Sequence, residues 1–406
     1  MGQGSPDLKI TRHSRIHPYP AMIADQLALD LAEEFVTPNT RVLDPFCGTG
    51  RTLLAAADRG GSCVGVDVNP LAILIAESKA TALLPSRIED ALASSTPARS
   101  RSVPPLELEP VRKVRWFSEQ ARIELSQVIA WLNSQALPRG LLALLSVILS
   151  ATAREVSFCR KDQWKLHRLR PSERESHTVS AWTVFDRRAR HFIEDLRSLP
   201  PLMGEARFYV GDARSINSIR RTLHLPRFDL VLTSPPYGDS RTTVGYGGVS
   251  SLCLGVLRHV RGISAPFLTP SALDGRCLGG VRYLKGGAGA LRPAYWHGGK
   301  DNPARGRVRS FLADLERCCS QVACVLSQKG RAVFVVSRRS VGRRRLYMDV
   351  FLCCKMRKYG FKLEWSRDRT LACKNMPSLV DSCGAGSERV PTRTMRHEII
   401  LSFARS

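Results

Sequence analysis

Residues 41–67 spell strand, glycine turn, helix, strand, and that unit constrains the fold more than any other stretch. Arg41-Val42-Leu43-Asp44 is a short apolar run suited to a buried strand. A turn with two glycines follows, then a helix over about 51–59 that stops at Gly60-Gly61. Cys63-Val64-Gly65-Val66-Asp67 supplies a second strand, and 70–80 a second helix. Two strands joined through a helix lie parallel with a right-handed crossover, so the expected fold class is α/β.

The rest of the chain is ordered around that unit. At 406 residues there is room for two or three domains, or for one domain with insertions. Residues 85–110, rich in Ser, Pro and Ala, read as a linker. Helical periodicity marks 117–133, 141–154 and 181–199, so roughly 111–200 is expected to be a helical insert. Strands return at 207–212 and 228–233. Residues 245–309 are Gly-rich with little apolar period, and Gly245-Tyr246-Gly247-Gly248 reads as a mobile flap. A regular ending follows: helix 310–327, strand 331–337, helix 347–359, strand 361–369 and a last strand at 397–403.

Charge narrows the function classes. Lys+Arg 61 against Asp+Glu 36 gives +25, which disfavours a near-neutral metabolic enzyme and favours a partner of dense negative charge. The excess is uneven. Residues 41–90 carry five basic and six acidic side chains, a net of −1. Residues 276–309 carry eight and one, a net of +7, and residues 331–375 thirteen and three, a net of +10. The first region suits a small ligand and the later two suit a polyanion track. The 12 cysteines have no Cys-x-x-Cys spacing, so no metal site is expected and the thiols read as buried and reduced. The start is polar rather than leader-like, and the longest apolar stretch is too short to span a bilayer, so an intracellular, membrane-free protein is expected.

Two motifs carry chemistry. Asp44-Pro45-Phe46-Cys47-Gly48-Thr49-Gly50 lies between a strand and a helix, where glycines let a ligand approach main-chain N–H groups. Asp67 ends the next strand, where an acid holds ribose hydroxyls. A dinucleotide site is the alternative, but the turn lacks the G-x-G-x-x-G spacing and Asp44 would repel a pyrophosphate. A nucleoside ligand without phosphate fits better, and S-adenosyl-L-methionine (AdoMet) is one. The second motif, Thr233-Ser234-Pro235-Pro236-Tyr237, ends a buried strand, where open α/β sheets bind ligands. Its prolines make a stiff turn without N–H donors, which frees carbonyls to accept from an amine, and Tyr237 offers a flat face to a base.

Together these residues resemble the amino-methyltransferases that modify exocyclic amines of DNA bases. The resemblance implies a Rossmann-like AdoMet-dependent methyltransferase sheet, with a helical insert and a basic irregular recognition segment. It assigns Asp44, Pro45, Phe46, Gly48, Thr49 and Gly50 to the AdoMet loop and Asp67 to the ribose. His17-Pro18-Tyr19-Pro20 resembles the methionine-side motif, which brings in Tyr19 and Pro20. Val210-Gly211-Asp212-Ala213 resembles the strand-end acid beside adenine, which brings in Asp212. Ser234, Pro235, Pro236 and Tyr237 resemble the catalytic tetrapeptide, and Ser in first place resembles the cytosine-N4 branch. The closing strand order resembles the end of the family's sheet, whose last strand inserts antiparallel. The implied division is 1–100 for the methionine and AdoMet part, 101–204 for the insert and 205–240 for the adenine strand and catalytic motif. Residues 241–309 become the DNA-recognition segment and 310–406 the end of the sheet.

The expected function is therefore methylation of cytosine N4 in double-stranded DNA, in a prokaryotic cytoplasm at the nucleoid. The enzyme would act as a monomer and as the modification partner of a restriction endonuclease. Adenine-N6 methylation, RNA guanine-N2 methylation and a catalytically silent DNA-binding fold remain alternatives. The Ser234 hydroxyl and the Pro235 carbonyl are expected to accept the two amine N–H bonds while Tyr237 stacks on the extruded base. A C5 enzyme needs a Cys nucleophile, and 233–237 contain none. DNA contacts are expected from Arg241, Arg276, Arg282, Lys285, Arg292 and Lys300, interleaved with Tyr295 and Trp296. The cluster Arg160, Lys161, Lys165, His167 and Arg168 in the insert is the other candidate.

Overall fold

The computed structural model describes residues 13, 15–108, 114–161, 166–238, 245–280, 295–296, 304–341, 344–370, 379–383, 389–393 and 397–406. The seven main strands are β1 (Arg41–Asp44), β2 (Ser62–Asp67), β3 (Glu205–Val210), β4 (Phe228–Thr233), β5 (Leu326–Val336), β6 (Phe361–Thr370) and β7 (His397–Arg405). They form one sheet in the order β3-β2-β1-β4-β5-β7-β6. β1 pairs parallel with β2 and β4, β2 with β3, and β4 with β5. β7 is antiparallel to both neighbours, with Ile399 opposite Val336 of β5 and Glu398 opposite Arg369 of β6. The expected parallel unit and the antiparallel last strand are both present.

This topology sends β1, β2, β3 and β4 to one edge of the sheet with their carboxyl ends. Because β7 runs the other way, its first residues arrive at that same edge. The strands between are apolar: Val42, Leu43, Val66, Val231 and Leu232 are all at most 1% exposed. That accords with a sheet covered on both faces.

The helices are α1 (Asp25–Phe35), α2 (Arg51–Ala57), α3 (Pro70–Ala80), α4 (Pro85–Ser94), α5 (Glu119–Ser134), α6 (Arg139–Val156), α7 (Pro171–Glu175) and α8 (Ala181–Ser198). Then come α9 (Ile216–Thr222), α10 (Tyr246–Leu257), α11 (Pro270–Arg276), α12 (Arg305–Val325) and α13 (Met348–Lys358). Helices α5, α6, α8 and α10 share one apolar core with α3. Helices α12 and α13 pack with β5 and β7 in another. No helix among the described residues is long and apolar enough to cross a membrane.

Three expectations need correction. Residues 85–110 are not all linker: α4 starts at Pro85, a residue tolerated in a first helical turn, and buries Ile88 and Ala91. Gly245-Tyr246-Gly247-Gly248 is no flap. It opens α10, and a Cβ on Gly247 would lie 2.2 Å from the Pro270 carbonyl oxygen, so close packing explains that glycine. Tyr295 and Trp296 are buried rather than interleaved with surface cations. Tyr295 stacks edge-on against Phe351 at 5.1 Å, and the Trp296 indole donates to the Val341 carbonyl at 3.1 Å. Basic neighbours in the sequence had masked two core aromatics.

Candidate active site

A cavity of about 920 Å³, its open mouth included, lies at the carboxyl edge of the sheet. Tyr19, Pro20, Asp44, Pro45, Phe46 and Gly48 line it. So do Thr49, Asp67, Asp212, Ser234 and Pro236. Gly50, Pro235 and Tyr237, also expected at the site, are not among its lining residues. The two sequence motifs, 183 residues apart at their nearest, therefore meet at one opening because β1 and β4 are adjacent.

The loop after β1 is shaped by backbone needs. Gly48 and Gly50 have φ of +49° and +79°, the left-handed region that side chains resist. At Gly50 a Cβ would also lie 2.9 Å from the Phe208 ring. The Gly48 N–H donates to Asp67 Oδ2 at 3.0 Å, and the Asn69 N–H donates to Asp67 Oδ1 at 2.9 Å. Asp67 thus fastens the first loop to the second while facing the cavity.

Asp44 is 3% exposed. Its Oδ1 accepts from Thr233 Oγ1 at 2.5 Å and from the Phe46 N–H at 3.0 Å, which leaves Oδ2 for a ligand. Burial pushes its carboxyl up to about 7, against the pull of those two bonds, and the nearby Asp67 adds to the rise. Burial likewise raises Asp67 to about 6, although backbone N–H groups oppose it. Two carboxyls that are hard to ionise beside an open cavity are groups short of a cation.

Around them the wall is polar but engaged. The Asn69 amide donates to Tyr19 Oη and to Ser250 Oγ, both at 2.8 Å, while its Oδ1 caps α3. His17 is not among the lining residues and is buried, with its Nε2 3.9 Å from Cys253 Sγ. Asp212 grips the Arg214 guanidinium, which reaches on to Asp314 at 2.8 Å. Arg276, expected on DNA, lines this cavity at the end of α11. Arg241, Arg282, Lys285, Arg292 and Lys300 lie outside the described residues. At the turn after β4, Ser234 Oγ and Tyr237 Oη are 3.2 Å apart, and Tyr237 donates to Glu398 Oε1 at 3.3 Å.

A DNA methylase family model matches residues 5–78, the stretch that holds Tyr19, the Asp44 loop and Asp67. This match and the relatives that follow support a DNA methyltransferase of the restriction–modification type. Type II methyltransferase M.MvaI of Kocuria varians is 27% identical to it over 420 residues, covering 95% of this chain and 90% of that protein. Type II methyltransferase M.MjaII of Methanocaldococcus jannaschii is 34% identical over 70 residues, covering 17% of this chain and 13% of that protein. Among solved structures, a SAM-dependent methyltransferase of Methanosarcina mazei overlays at a TM-score of 0.32 and 10% identity, across 96% of this chain and 98% of that one.

The methyltransferase takes its methyl group from AdoMet, and its cavity has the chemistry for that donor. The free oxygen of buried Asp44 and the raised carboxyl of Asp67 suit a ligand that carries positive charge and hydroxyl donors. Among the described residues, no group of three or more His, Cys, Asp or Glu is placed to hold a metal ion. Sequence reasoning missed Asn69, Tyr246, which also lines the cavity, and Glu398 beside Tyr237. Asn69 had a signal, since an Asn before Pro at a helix start is a capping pattern. Tyr246 and Glu398 had none, because only the fold brings them here.

Proposed function

We propose that this DNA methyltransferase methylates the exocyclic N4 of a cytosine turned out of double-stranded DNA, as the modification partner of a restriction endonuclease. The observation that carries this is Ser234, a neutral hydroxyl at the end of β4 on the wall of the cavity that holds Asp44 and Asp67. Serine in that place resembles the cytosine branch of the family, and two Type II methyltransferases are among its relatives.

Bound in the cavity, AdoMet supplies an electrophilic methyl group on a sulfonium. Asp44 Oδ2 and Asp67 hold the donor, with Tyr19, Pro20, Pro45, Phe46, Thr49 and Asp212 around it and Gly48 and Gly50 shaping the loop. An aryl amine is a weak nucleophile because its lone pair is shared with the ring. Ser234 Oγ and the Pro235 carbonyl accept its two N–H bonds, which pulls the nitrogen toward tetrahedral geometry and exposes that pair. Pro236 stiffens the turn, and Tyr237 lies under the base. Alignment rather than covalent attachment supplies the acceleration.

Flipping a base needs a phosphate track. Arg344 and Arg345 support one: they are exposed on a two-stranded ribbon (Arg339–Val341 with Arg344–Leu346) that follows the carboxyl end of β5. Arg241, Arg282, Lys285, Arg292 and Lys300 complete the basic set, and Arg276 stands at the cavity itself, where it could meet the phosphate of the extruded nucleotide. The test is incubation of the protein with tritiated AdoMet and a mixed-sequence duplex, followed by nucleoside mass spectrometry. N4-methylcytosine is expected. N6-methyladenine would move the assignment to the adenine branch, and label on a ring carbon, or none, would overturn it.

A further inference from the structure

Behind the catalytic turn sits a buried carboxylate that no motif announces. Glu398 is the second residue of β7 and is 5% exposed. It reaches the site because β7 is antiparallel and begins at the edge where β4 ends. Its Oε1 accepts from Tyr237 Oη at 3.3 Å. Its Oε2 is buried without a hydrogen-bond partner among the described residues, and Arg369 Nη1, on the opposite residue of β6, stands 3.8 Å away. Tyr237 Oη in turn lies 3.2 Å from Ser234 Oγ, where either oxygen could be the donor.

The carboxylate decides which. Ionised, it can only accept, so it takes the single phenolic proton of Tyr237. The phenol oxygen is then left as an acceptor, and the Ser234 hydroxyl must donate to it. That turns the Ser234 lone pairs, and no proton, toward whatever enters the cavity. In the opposite polarity Tyr237 donates to Ser234, whose own proton is free to bond the amine lone pair and mask the nucleophile. We infer that Glu398 is a positioning residue for methyl transfer, which acts through Tyr237 to hold Ser234 as a hydrogen-bond acceptor for the target amine. The inference rests on the reading of Ser234 as that acceptor. A chain of three such groups also polarises each member, which strengthens Ser234 as an acceptor. Both links are long for O–H···O bonds, which accords with a relay that tightens once an amine donates to Ser234.

The test is single-turnover methyl transfer to duplex DNA by the full chain and by Ser234→Ala, Tyr237→Phe, Glu398→Gln and the Tyr237→Phe/Glu398→Gln double variant. Glu398→Gln keeps the shape but can donate to Tyr237 and reverse the chain. It is expected to slow transfer by about tenfold or more, the scale of a hydrogen bond to a charged group, with AdoMet and DNA affinities unchanged. Tyr237→Phe is expected to do the same while keeping the ring. The double variant should be no slower than the slower single one, because the relay is already cut. Losses that multiply in the double variant, or wild-type transfer by Glu398→Gln, overturn the relay. Full activity of Ser234→Ala overturns the acceptor reading itself. A dead Ser234→Ala beside an unimpaired Glu398→Gln removes the relay alone.

Discussion

Strands β1 and β4 lie side by side and are joined by a polar pair at each end, and the two pairs behave oppositely. At the amino edge Arg41 donates to both oxygens of Asp229, at 2.8 Å from Nε and 2.6 Å from Nη2. Both side chains are over a third exposed, and the Arg41 bonds hold the Asp229 carboxyl below its usual range. At the carboxyl edge, Asp44 has only the neutral Thr233 and a backbone N–H, and burial pushes it up to about 7. The seam between the two strands thus has one satisfied end and one short of a cation. The satisfied edge fastens the sheet, and the unsatisfied edge is where our proposal puts the positively charged donor. An acid with a complete set of partners has nothing left to offer a ligand.

The sharpest way to break that contrast is pH. Asp44 keeps its proton in the folded chain between the ordinary aspartate value of 3.8 and about 7, whereas the unfolded chain has lost it. Its contribution to stability is therefore full below about 4 and is lost as pH rises through about 7. Asp229 has the reverse sign: its contribution is present above the ordinary value and is lost as pH falls through its lowered one. Asp44→Asn should flatten the fall in urea stability from pH 4 to 7, an effect on the order of a few kcal/mol at about 1.4 kcal/mol per unit. Asp229→Asn should flatten only the acid limb. If the two substitutions change the same limb, the two ends are not different in kind.

A smaller effect is expected from the ligand side. Asp67→Ala removes an acceptor that faces the cavity, and it should weaken AdoMet binding by about 10- to 100-fold, the scale of hydrogen bonds to a charged group. At saturating donor the transfer rate should stay near that of the wild type. Calorimetry and a donor titration check both halves. Unchanged affinity would mean that Asp67 serves only to tie Gly48 to Asn69.

What could be read from the sequence followed the same divide. The parallel unit, the order of the closing strands and the convergence of Asp44, Asp67 and Ser234 were legible, because apolar runs and glycine turns are local signals. Glu398 was not, since it lies 161 residues from Tyr237 and reaches it only through the inserted antiparallel strand. Composition misled where one residue type has two physical uses. Gly247 marks close packing rather than mobility, and Trp296, among cations in the sequence, is a core residue. Asn69 was legible in principle, as the cap that also ties Tyr19 and Ser250 together.

The smallest effect belongs to the amino edge, and it tests whether that edge is separate from the chemistry. Arg41→Ala and Asp229→Ala, each alone and combined, form a double-mutant cycle on an open ion pair. Such pairs typically couple by about 0.2–1 kcal/mol, and the two-pronged grip places this one toward the upper end. Added salt should shrink the coupling, because both groups face water. Methyl transfer at saturating AdoMet and DNA should not change in any of the three variants, since the pair sits at the far end of strands whose other ends line the cavity. A loss of transfer in Arg41→Ala without a matching loss of stability would mean that β1 carries strain from one edge to the other, and the division between a fastening edge and a reacting edge would not hold.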